Sequence, residues 1–273
     1  MILIALAMLA FAGNSLLCRQ ALQESDIDPA SFTTLRLASG ALTLWLIVRM
    51  RGGTQISGGS WLSAFALFAY AAGFSFAYVS LTAATGALLL FGAVQATMIG
   101  YGIWSRERFA KLQVVGFVLA FAGLISFLVP GLAAPPVRGT MLMLGAGASW
   151  GIYSLRGKGA GDPVAVTTGN FLRAAPMALI LSLLQLSRAS TDSAGIWYAI
   201  ASGALTSGIG YVIWYAALPG LKAGHAASVQ LSVPIIAAFG GIIFLGESIT
   251  LRLGLASVAV LGGIALVIAE KPS

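Results

Sequence analysis

The sequence predicts an all-α membrane protein in which ten transmembrane helices form two inverted five-helix repeats. The chain is 59% hydrophobic and only 8% charged, whereas soluble domains carry about 25% charged residues. In addition, RERFAKLQVVGFVLAFAGLISFL at 106–128 is similar to GESITLRLGLASVAVLGGIALVI at 246–268. Because similarity at this separation indicates duplication of a large unit, the chain divides into repeats at 1–135 and 136–273.

Ten apolar segments, each bounded by charged residues or by Pro and Gly clusters, are the predicted spans. A helix needs about 20 residues to cross a hydrocarbon core of about 30 Å. Ten such helices occupy most of the 273 residues, so the loops are short and leave no room for a soluble domain. The predicted spans are 2–18, 30–48, 61–81, 84–104, 112–130, 140–155, 164–186, 196–216, 224–245 and 252–269.

An odd number of spans in each repeat inserts the second half upside down relative to the first. Two inverted halves enclose a site near the membrane midplane, an arrangement typical of transporters. Loop Lys and Arg residues predict the orientation, because cytoplasmic loops carry an excess of them. Nine lie on one side and four on the other, which places both termini in the cytoplasm of the predicted topology. The inner residues are Arg49, Arg51, Arg106, Arg108, Lys111, Arg156, Lys158, Lys222 and Lys271; the outer ones are Arg19, Arg138, Arg188 and Arg252.

The stretch at 210–247, GYVIWYAALPGLKAGHAASVQLSVPIIAAFGGIIFLGE, resembles the core signature of the drug/metabolite transporter superfamily, EamA type. Its elements are an aromatic-rich span, a short turn, an Ala-rich entry, a mid-span proline and a closing Gly-Glu. The first-half counterpart at 76–107 lacks the proline. The chain is also similar to bacterial aromatic amino acid exporters (YddG-like), because its interior is aromatic and nearly free of carboxylates. The resemblance covers essentially the whole chain and implies a ten-helix inverted-repeat basket with eight helices around the cavity.

The first two spans each carry one polar residue of interest. Asn14 lies within the first span and is predicted to line the cavity. The second span opens at Asp28-Pro29, and Arg36 follows about 10 Å deep at 1.5 Å per residue. From that depth its guanidinium either snorkels outward, bonds to carbonyls of a neighbouring helix, or faces a cavity.

The third and fourth spans combine aromatic and amide side chains. Tyr78, near the end of the third span, either lines the cavity or belongs to the aromatic belt at the membrane interface. Gln95 and Phe91 share a face of the fourth span, and AVQATM at 93–98 is similar to SVQLSV at 228–233. Both side chains are predicted to line the cavity. The alternative for the glutamine is a polar contact between helices, worth about 1 kcal/mol.

The fifth and tenth spans are almost wholly aliphatic, with small residues at matching places. Since neither contains a polar stripe, we expect them to be outer packing helices whose small residues permit close approach. Their glycines include Gly116, Gly123, Gly262 and Gly263.

The sixth and seventh spans contain the aromatic and polar residues that the sequence favours most. Trp150 lies in the middle of the sixth span, where a buried indole needs a hydrogen-bond partner, and it is predicted to line the cavity with Tyr153. Thr167, Asn170 and Arg173 recur every third residue in the seventh span. Arg173 lies about 15 Å deep, where a guanidinium is costly and by default faces a cavity or a partner.

The eighth and ninth spans complete the predicted cavity. Trp214 and Tyr215 follow each other in the eighth span, and Tyr215 lies near enough to the span end to be a belt residue instead. In the ninth span, Pro234 clashes with the carbonyl of Gln230, four residues earlier. The freed carbonyl beside the Gln230 amide would then accept a substrate ammonium, and the alternative is again a polar contact between helices.

The predicted function is export of amino acids across the bacterial inner membrane, favouring aromatic and other neutral ones, by alternating access. The substrate carboxylate would meet Arg173 or Asn170, and its side chain would stack among Trp150, Tyr78 and Trp214. No Asp or Glu lies inside a span, so we expect a facilitator or exchanger rather than a proton-coupled pump.

Three other classes of membrane protein fit the sequence less well. The missing intramembrane carboxylate disfavours an exporter of cationic drugs. An intramembrane enzyme would need a nucleophile and base pair, which the lone His225 does not supply. A structural membrane protein would not need an inverted duplication. The expected partners are a small-molecule substrate and membrane lipid. No cofactor, metal or nucleic acid is expected, because the basic residues sort across the membrane instead of clustering.

Overall fold

The computed structural model describes residues 2–52, 58–105, 110–129, 134–157, 161–217 and 229–269, and within these ranges the secondary structure is helical with no β-strand. The helices are α1 Ile2–Glu24, α2 Pro29–Met50, α3 Trp61–Tyr78, α4 Ala83–Trp104, α5 Lys111–Leu128, α6 Val137–Gly157, α7 Pro163–Leu184, α8 Ser193–Ala201, a π-helical segment Ser202–Ile209, α9 Gly210–Ala217, α10 Ser232–Leu245 and α11 Leu251–Ala269, with a 3₁₀ turn at Leu186–Arg188.

The all-α class predicted from the sequence is confirmed. Because α8, the π-helical segment and α9 form one continuous rod, the described helices correspond to the ten predicted apolar segments, although 224–228 of the ninth lie outside the described residues. Seven of the described helices are long and apolar enough to cross a membrane, and α10 and α11 are shorter apolar helices.

The two Asp-Pro dipeptides that are similar in the two halves both begin a helix. Asp28 accepts hydrogen bonds from the amides of Ala30 and Ser31, and Asp162 accepts one from the amide of Val164. Each aspartate therefore satisfies amides that have no partner within the helix. The following proline occupies the first helical position, where its missing N–H costs nothing.

The α5 and α11 helices pack against each other through glycines, as the sequence predicted for its fifth and tenth spans. A Cβ added to Gly116 would meet the carbonyl oxygen of Gly263, and a Cβ added to Gly263 would meet that of Gly116. Such close backbone approach is how small residues stabilise helix pairs in lipid. Most of α5 outside this contact is exposed, including Val115 and Val118, so the pair lies at the periphery of the bundle.

Replacing Gly116 by Ala is expected to lower the free energy of unfolding by about 1–3 kcal/mol, because the added methyl group meets backbone that cannot move aside. Gly262→Ala is the matched control, since a Cβ at that position of α11 meets nothing within 4 Å. Thermal unfolding of both purified variants in detergent measures the difference. Equal melting temperatures would contradict the close glycine contact.

Antiparallel packing of α3 and α6 defines the two ends of the bundle. Arg156, near the end of α6, donates from Nε to Ser63 Oγ near the start of α3 at 3.1 Å. At the other end, a Cβ on Gly139 would lie 3.1 Å from Leu81, just beyond α3. We call these the α6–α7 end and the α3–α4 end, after the helices that meet there.

The π-helical segment lies where its helix crosses α2 closely. A Cβ on Gly203 would meet Ser39 and the backbone carbonyl of Arg36, and one on Gly208 would lie 3.2 Å from Thr43. Both glycines therefore permit the approach of α2. π-helical turns widen the helix locally and occur often at functional sites, and this segment carries Thr206 and Ser207 into the interior, where both are buried.

Candidate functional site

A cavity of about 520 Å³ lies inside the bundle. Side chains from α1, α3, α4, α6, α7, the π-helical segment and α9 surround it, together with Gln230 ahead of α10. It extends to Gly157 and Pro163, exposed residues at the α6–α7 end. Its lining comprises Phe11, Asn14, Ser15, Tyr70, Phe74, Leu90, Phe91, Gln95, Met98, Trp150, Tyr153, Ser154, Leu155, Gly157, Pro163, Val166, Thr167, Asn170, Thr206, Ser207, Tyr211, Trp214 and Gln230.

Aromatic rings in contact with one another form one wall of the cavity, with Trp150 at the centre. The Trp150 ring lies 4.8 Å from Tyr70, 5.4 Å from Tyr153 and 5.3 Å from Tyr211. Phe11 extends the contacts to Trp214 at 5.9 Å. Tilted and edge contacts at these distances are favourable for aromatic pairs, so the wall offers ring faces and edges to an aromatic ligand.

Polar groups from three helical elements meet at Asn14. Its Oδ1 accepts hydrogen bonds from Ser202 Oγ at 2.6 Å and from Thr206 Oγ1 at 3.2 Å. Its Nδ2 donates to Tyr70 OH at 3.5 Å. The predicted polar residue of the first span therefore lines the cavity and joins α1 to α3 and to the π-helical segment.

Arg36 is buried beside this polar group, and only 2% of it is exposed. Its Nε donates to Ser207 Oγ at 3.3 Å and its Nη2 donates to Tyr70 OH at 3.1 Å. The guanidinium carbon lies 4.9 Å from the centre of the Phe74 ring. Nη1 has no hydrogen-bond partner among the residues that the structure describes. The side chain thus turns into the bundle and does not snorkel outward, which was one alternative left open by the sequence.

Asn170 and Arg173 of α7, predicted together, separate in the structure. Asn170 lines the cavity; its Oδ1 accepts from the amide of Ser60 at 2.9 Å, and its Nδ2 donates to Tyr153 OH at 3.5 Å. Arg173 is not a lining residue. Its Nη1 donates to the carbonyl oxygens of Gly58 at 3.0 Å and of Gly169 at 2.8 Å, so this guanidinium holds the chain segment before α3.

Tyr78 lies behind the cavity wall instead of in it. It is fully buried, its hydroxyl donates to the carbonyl of Ala83 at 3.4 Å, and its ring meets Phe74 edge-on at 4.7 Å. A Cβ on Gly86 would overlap this ring, so the glycine makes room for it. The side chain of Tyr215 lies outside the described residues, whereas its neighbour Trp214 lines the cavity.

The paired glutamines predicted from the two halves both line the cavity, as does Phe91. Gln230 precedes a break in the helix at Leu231, and α10 begins at Ser232, which places Pro234 in its first turn. Leu231 keeps right-handed helical backbone angles, with φ −65° and ψ −15°, so the break lies next to the Gln230 carbonyl that the proline was predicted to free. A proline is tolerated in a first turn because the amide it lacks has no helical partner there.

An ion pair joins several helices at the α3–α4 end of the bundle. Arg19 Nε lies 3.0 Å from Glu247 Oε1, and Arg19 Nη1 donates to the carbonyl of Tyr78 at 2.9 Å. Glu247 Oε2 accepts from the amide of Ala83, the first residue of α4, at 2.8 Å. The helix N-terminus favours this negative charge. We call this group the α3–α4 latch, since it joins α1, α3, α4 and the segment after α10.

The described lining of the cavity contains no Asp or Glu. In the described ranges, no group of three or more His, Cys, Asp or Glu residues is placed to hold a metal ion. Glu107 and His225 lie outside these ranges. The cavity therefore presents aromatic, amide and hydroxyl groups, with one buried guanidinium behind two of the hydroxyls.

Several residues that line the cavity were not predicted from the sequence. Tyr70 lies one helical turn before Phe74 on α3, and this spacing was a signal that it shares the face of that phenylalanine. Thr206 and Ser207 were hidden, because nothing in the sequence shows that the helix is π-helical there. The sequence left three alternatives open for Arg36, since depth along a helix does not reveal the direction in which a side chain turns.

A helical bundle with an amphipathic cavity that reaches one end, and with an ion pair that joins the helices at the other, has the architecture of a small-molecule transporter. The model of the EamA-like transporter family matches residues 1–129 and 137–269. The chain therefore belongs to the EamA-like transporter family. It is an integral membrane transporter and not an enzyme, as the sequence predicted.

Two individual relatives and one solved structure are similar to the chain. The chain is 55% identical over 273 residues to an uncharacterized protein of Pseudomonas aeruginosa, covering 99% of this chain and 95% of that one. It is 32% identical over 158 residues to the threonine/homoserine exporter RhtA of Escherichia coli K12, covering 56% of this chain and 52% of RhtA. A solved crystal structure shares its fold, with a TM-score of 0.70 at 17% identity, covering 97% of this chain and 96% of the other.

Proposed function

We propose that the protein exports neutral amino acids across the bacterial inner membrane, favouring aromatic ones, as a facilitator or exchanger. One observation carries the proposal: the cavity has an aromatic wall centred on Trp150 and no carboxylate in its described lining. Its volume of about 520 Å³ is in the range of sites for small ligands, about 300–1,000 Å³. A zwitterionic substrate carries its own balanced charge and needs no buried carboxylate.

The polar residues and one relative support the amino acid class. Asn14, Gln95, Asn170 and Gln230 supply amide donors and acceptors on several sides of the cavity, which suits an ammonium and a carboxylate held close together. RhtA, an exporter of threonine and homoserine by its name, is similar to half of this chain. The preference for aromatic amino acids goes beyond this substrate class, and it depends on the ring contacts of Trp150.

Alternating access between two inverted repeats, 1–135 and 136–273, is the transport mechanism that we propose. The two ranges matched by the family support this division. The cavity reaches exposed residues at the α6–α7 end, while the Arg19–Glu247 pair joins four segments at the opposite end. With both termini in the cytoplasm, the α6–α7 end would face inward, and substrate would enter from the cell before the latch parts.

Export of cationic drugs is the second candidate, because aromatic walls attract cations. The charge of the site disfavours it. Arg36 is buried next to the cavity hydroxyls of Tyr70 and Ser207, and a like charge would be repelled there in a low dielectric. No carboxylate in the described lining compensates this repulsion.

Uptake into proteoliposomes decides between the two. We expect labelled phenylalanine and threonine to enter faster than through protein-free vesicles, and lysine and a quaternary ammonium compound to enter no faster. Uptake of the quaternary ammonium compound without uptake of the amino acids would replace the proposal with the drug exporter.

A pH gradient alone is expected to drive no accumulation of phenylalanine above its external concentration. The reason is that the described cavity lining contains no Asp or Glu to carry a proton across. The measurement compares uptake into proteoliposomes with and without an imposed pH step, and counterflow from preloaded substrate is the positive control. Accumulation driven by the pH step would contradict the facilitator or exchanger mechanism.

A further inference from the structure

We infer that Arg36, acting with the hydroxyls of Tyr70 and Ser207, forms the subsite for the substrate's carboxylate. The inference rests on the proposed function and makes it more specific. Arg36 is a charged side chain on a membrane-spanning helix, 98% of it shielded from solvent. Arginine is not deprotonated in proteins, so this position holds a permanent positive charge.

The charge of Arg36 has no balancing partner in the described part of the chain. Its hydrogen bonds to described residues go to two neutral hydroxyls, at 3.3 Å and 3.1 Å. Nη1 is buried and has no partner in the same set of residues. The ring faces of Tyr70 and Phe74, 5.3 Å and 4.9 Å from the guanidinium carbon, attract the cation, but neither ring carries a charge that neutralises it. A buried charge without a counterion is costly in lipid and marks a functional site.

The cavity connects this charge to a ligand. Tyr70, Phe74 and Ser207, the three side chains around the guanidinium, all line the cavity. Because the two hydroxyl oxygens accept hydrogen bonds from Arg36, they are polarised towards donating their own protons to an anion. Only these two hydroxyl groups would separate a bound anion from the guanidinium. Nη1 would remain as a further hydrogen-bond donor.

Arg173 lacks the corresponding properties. Its Nη1 already donates to two backbone carbonyls, those of Gly58 and Gly169, and its guanidinium carbon lies 6.0 Å from the Trp61 ring. It does not line the cavity. The carboxylate role that the sequence favoured for Arg173 is therefore better filled by Arg36.

Carboxylate recognition is testable by comparing ligands that differ only in that group. Inhibition of phenylalanine counterflow is measured with phenylalanine and with phenylalaninamide, which keeps the ring and the ammonium. We expect the unmodified protein to prefer the acid by about tenfold or more, because a site built for a polar group rejects an analogue without it. In Arg36→Gln the preference should fall to about twofold or less, since the amide side chain has no charge.

Arg173→Gln is the matched control, since it removes the same charge from another membrane-spanning helix, and it is expected to keep the tenfold preference. An unchanged preference in Arg36→Gln would overturn the inference, as would a loss of preference in Arg173→Gln alone. If Arg36→Gln does not fold, Ser207→Ala provides the test, because it keeps the guanidinium and removes a hydroxyl of the subsite. The acid preference should then fall about threefold or more, and no change would overturn the inference.

A binding measurement separates this inference from the proposed function. Phenylpyruvate carries the ring and the carboxylate without the ammonium. We expect it to raise the melting temperature of the unmodified protein, to raise that of Ser207→Ala by less, and to leave that of Arg36→Gln unchanged. If this pattern appears while no amino acid is transported, the carboxylate subsite stands and the amino acid function fails. If amino acids are transported and the melting temperatures respond equally in all variants, the inference alone fails.

Discussion

Replacing Glu247 by Gln is expected to make Cys18 react about ten times faster with a water-soluble maleimide, because the α3–α4 latch then opens more often. The glutamate bonds to Arg19 and to the amide of Ala83, and its side chain is only 11% exposed. Loss of charge-assisted hydrogen bonds of this kind costs about 1–3 kcal/mol, which corresponds to about 5–150-fold in a two-state population.

Cys18 is a native reporter of this opening. It is the single cysteine of the chain and is fully buried on α1. Ser15, one helical turn before it, lines the cavity, and Arg19 follows it directly in the latch. We therefore expect a reagent that arrives from the α3–α4 end to reach the thiol only after the contacts of Arg19 in the latch part.

Asp192→Asn is the matched control for the latch variant. Asp192 accepts a hydrogen bond from the amide of Gly195 at the start of α8, and a Cβ on Gly195 would meet Ile27 and Ser25, which places it at the same end as the latch. Asn is as good a helix cap as Asp, so labelling should not change. Equal labelling in Glu247→Gln and in the unmodified protein would show that the ion pair does not hold this end closed.

Replacing Trp150 by Ala is expected to lower the affinity for phenylalanine about tenfold relative to that for threonine, equivalent to about 1.4 kcal/mol. The indole contacts Tyr70, Tyr153 and Tyr211 at ring distances of 4.8–5.4 Å, so its removal takes away the centre of the aromatic wall. Threonine has no ring and loses little by this change. Competition uptake with phenylalanine and threonine at matched protein amounts measures the ratio.

Trp104→Ala is the control for Trp150→Ala, since that indole ends α4, is 82% exposed and lies outside the cavity. It should leave the ratio of phenylalanine to threonine unchanged. If Trp150→Ala lowers the affinity for both substrates equally, the tryptophan packs the bundle without recognising the substrate's side chain. The proposed preference for aromatic substrates would then be wrong.

Much of the cavity was predictable because its residues break the apolar pattern of the spans. Asn14, Gln95, Asn170 and Gln230 are amides within apolar segments, where an unsatisfied polar group is costly, and all four line the cavity. Trp150 was predicted on the same basis, since it lies too far from either span end for an interfacial residue.

The prediction was less successful where direction mattered more than position along the helix. Tyr78 and Arg173 lie on helices that surround the cavity, yet Tyr78 packs behind the wall against Phe74 and Arg173 turns towards backbone carbonyls. Arg36 lies nearer the end of its helix and nevertheless turns inward. A long side chain reaches several ångströms in any direction, so the neighbouring helices decide where it points.

By itself, the sequence determined the solvent of this protein and its helices and predicted its duplication, because hydrophobicity, span length and internal similarity are properties of the chain alone. The tertiary structure decided which charge lies beside the cavity. The π-helical segment and the close approach of Gly203 to α2 bring Ser207 to Arg36, and residues 171 positions apart make that hydrogen bond. No local pattern encodes such a contact, since it depends on how whole helices pack.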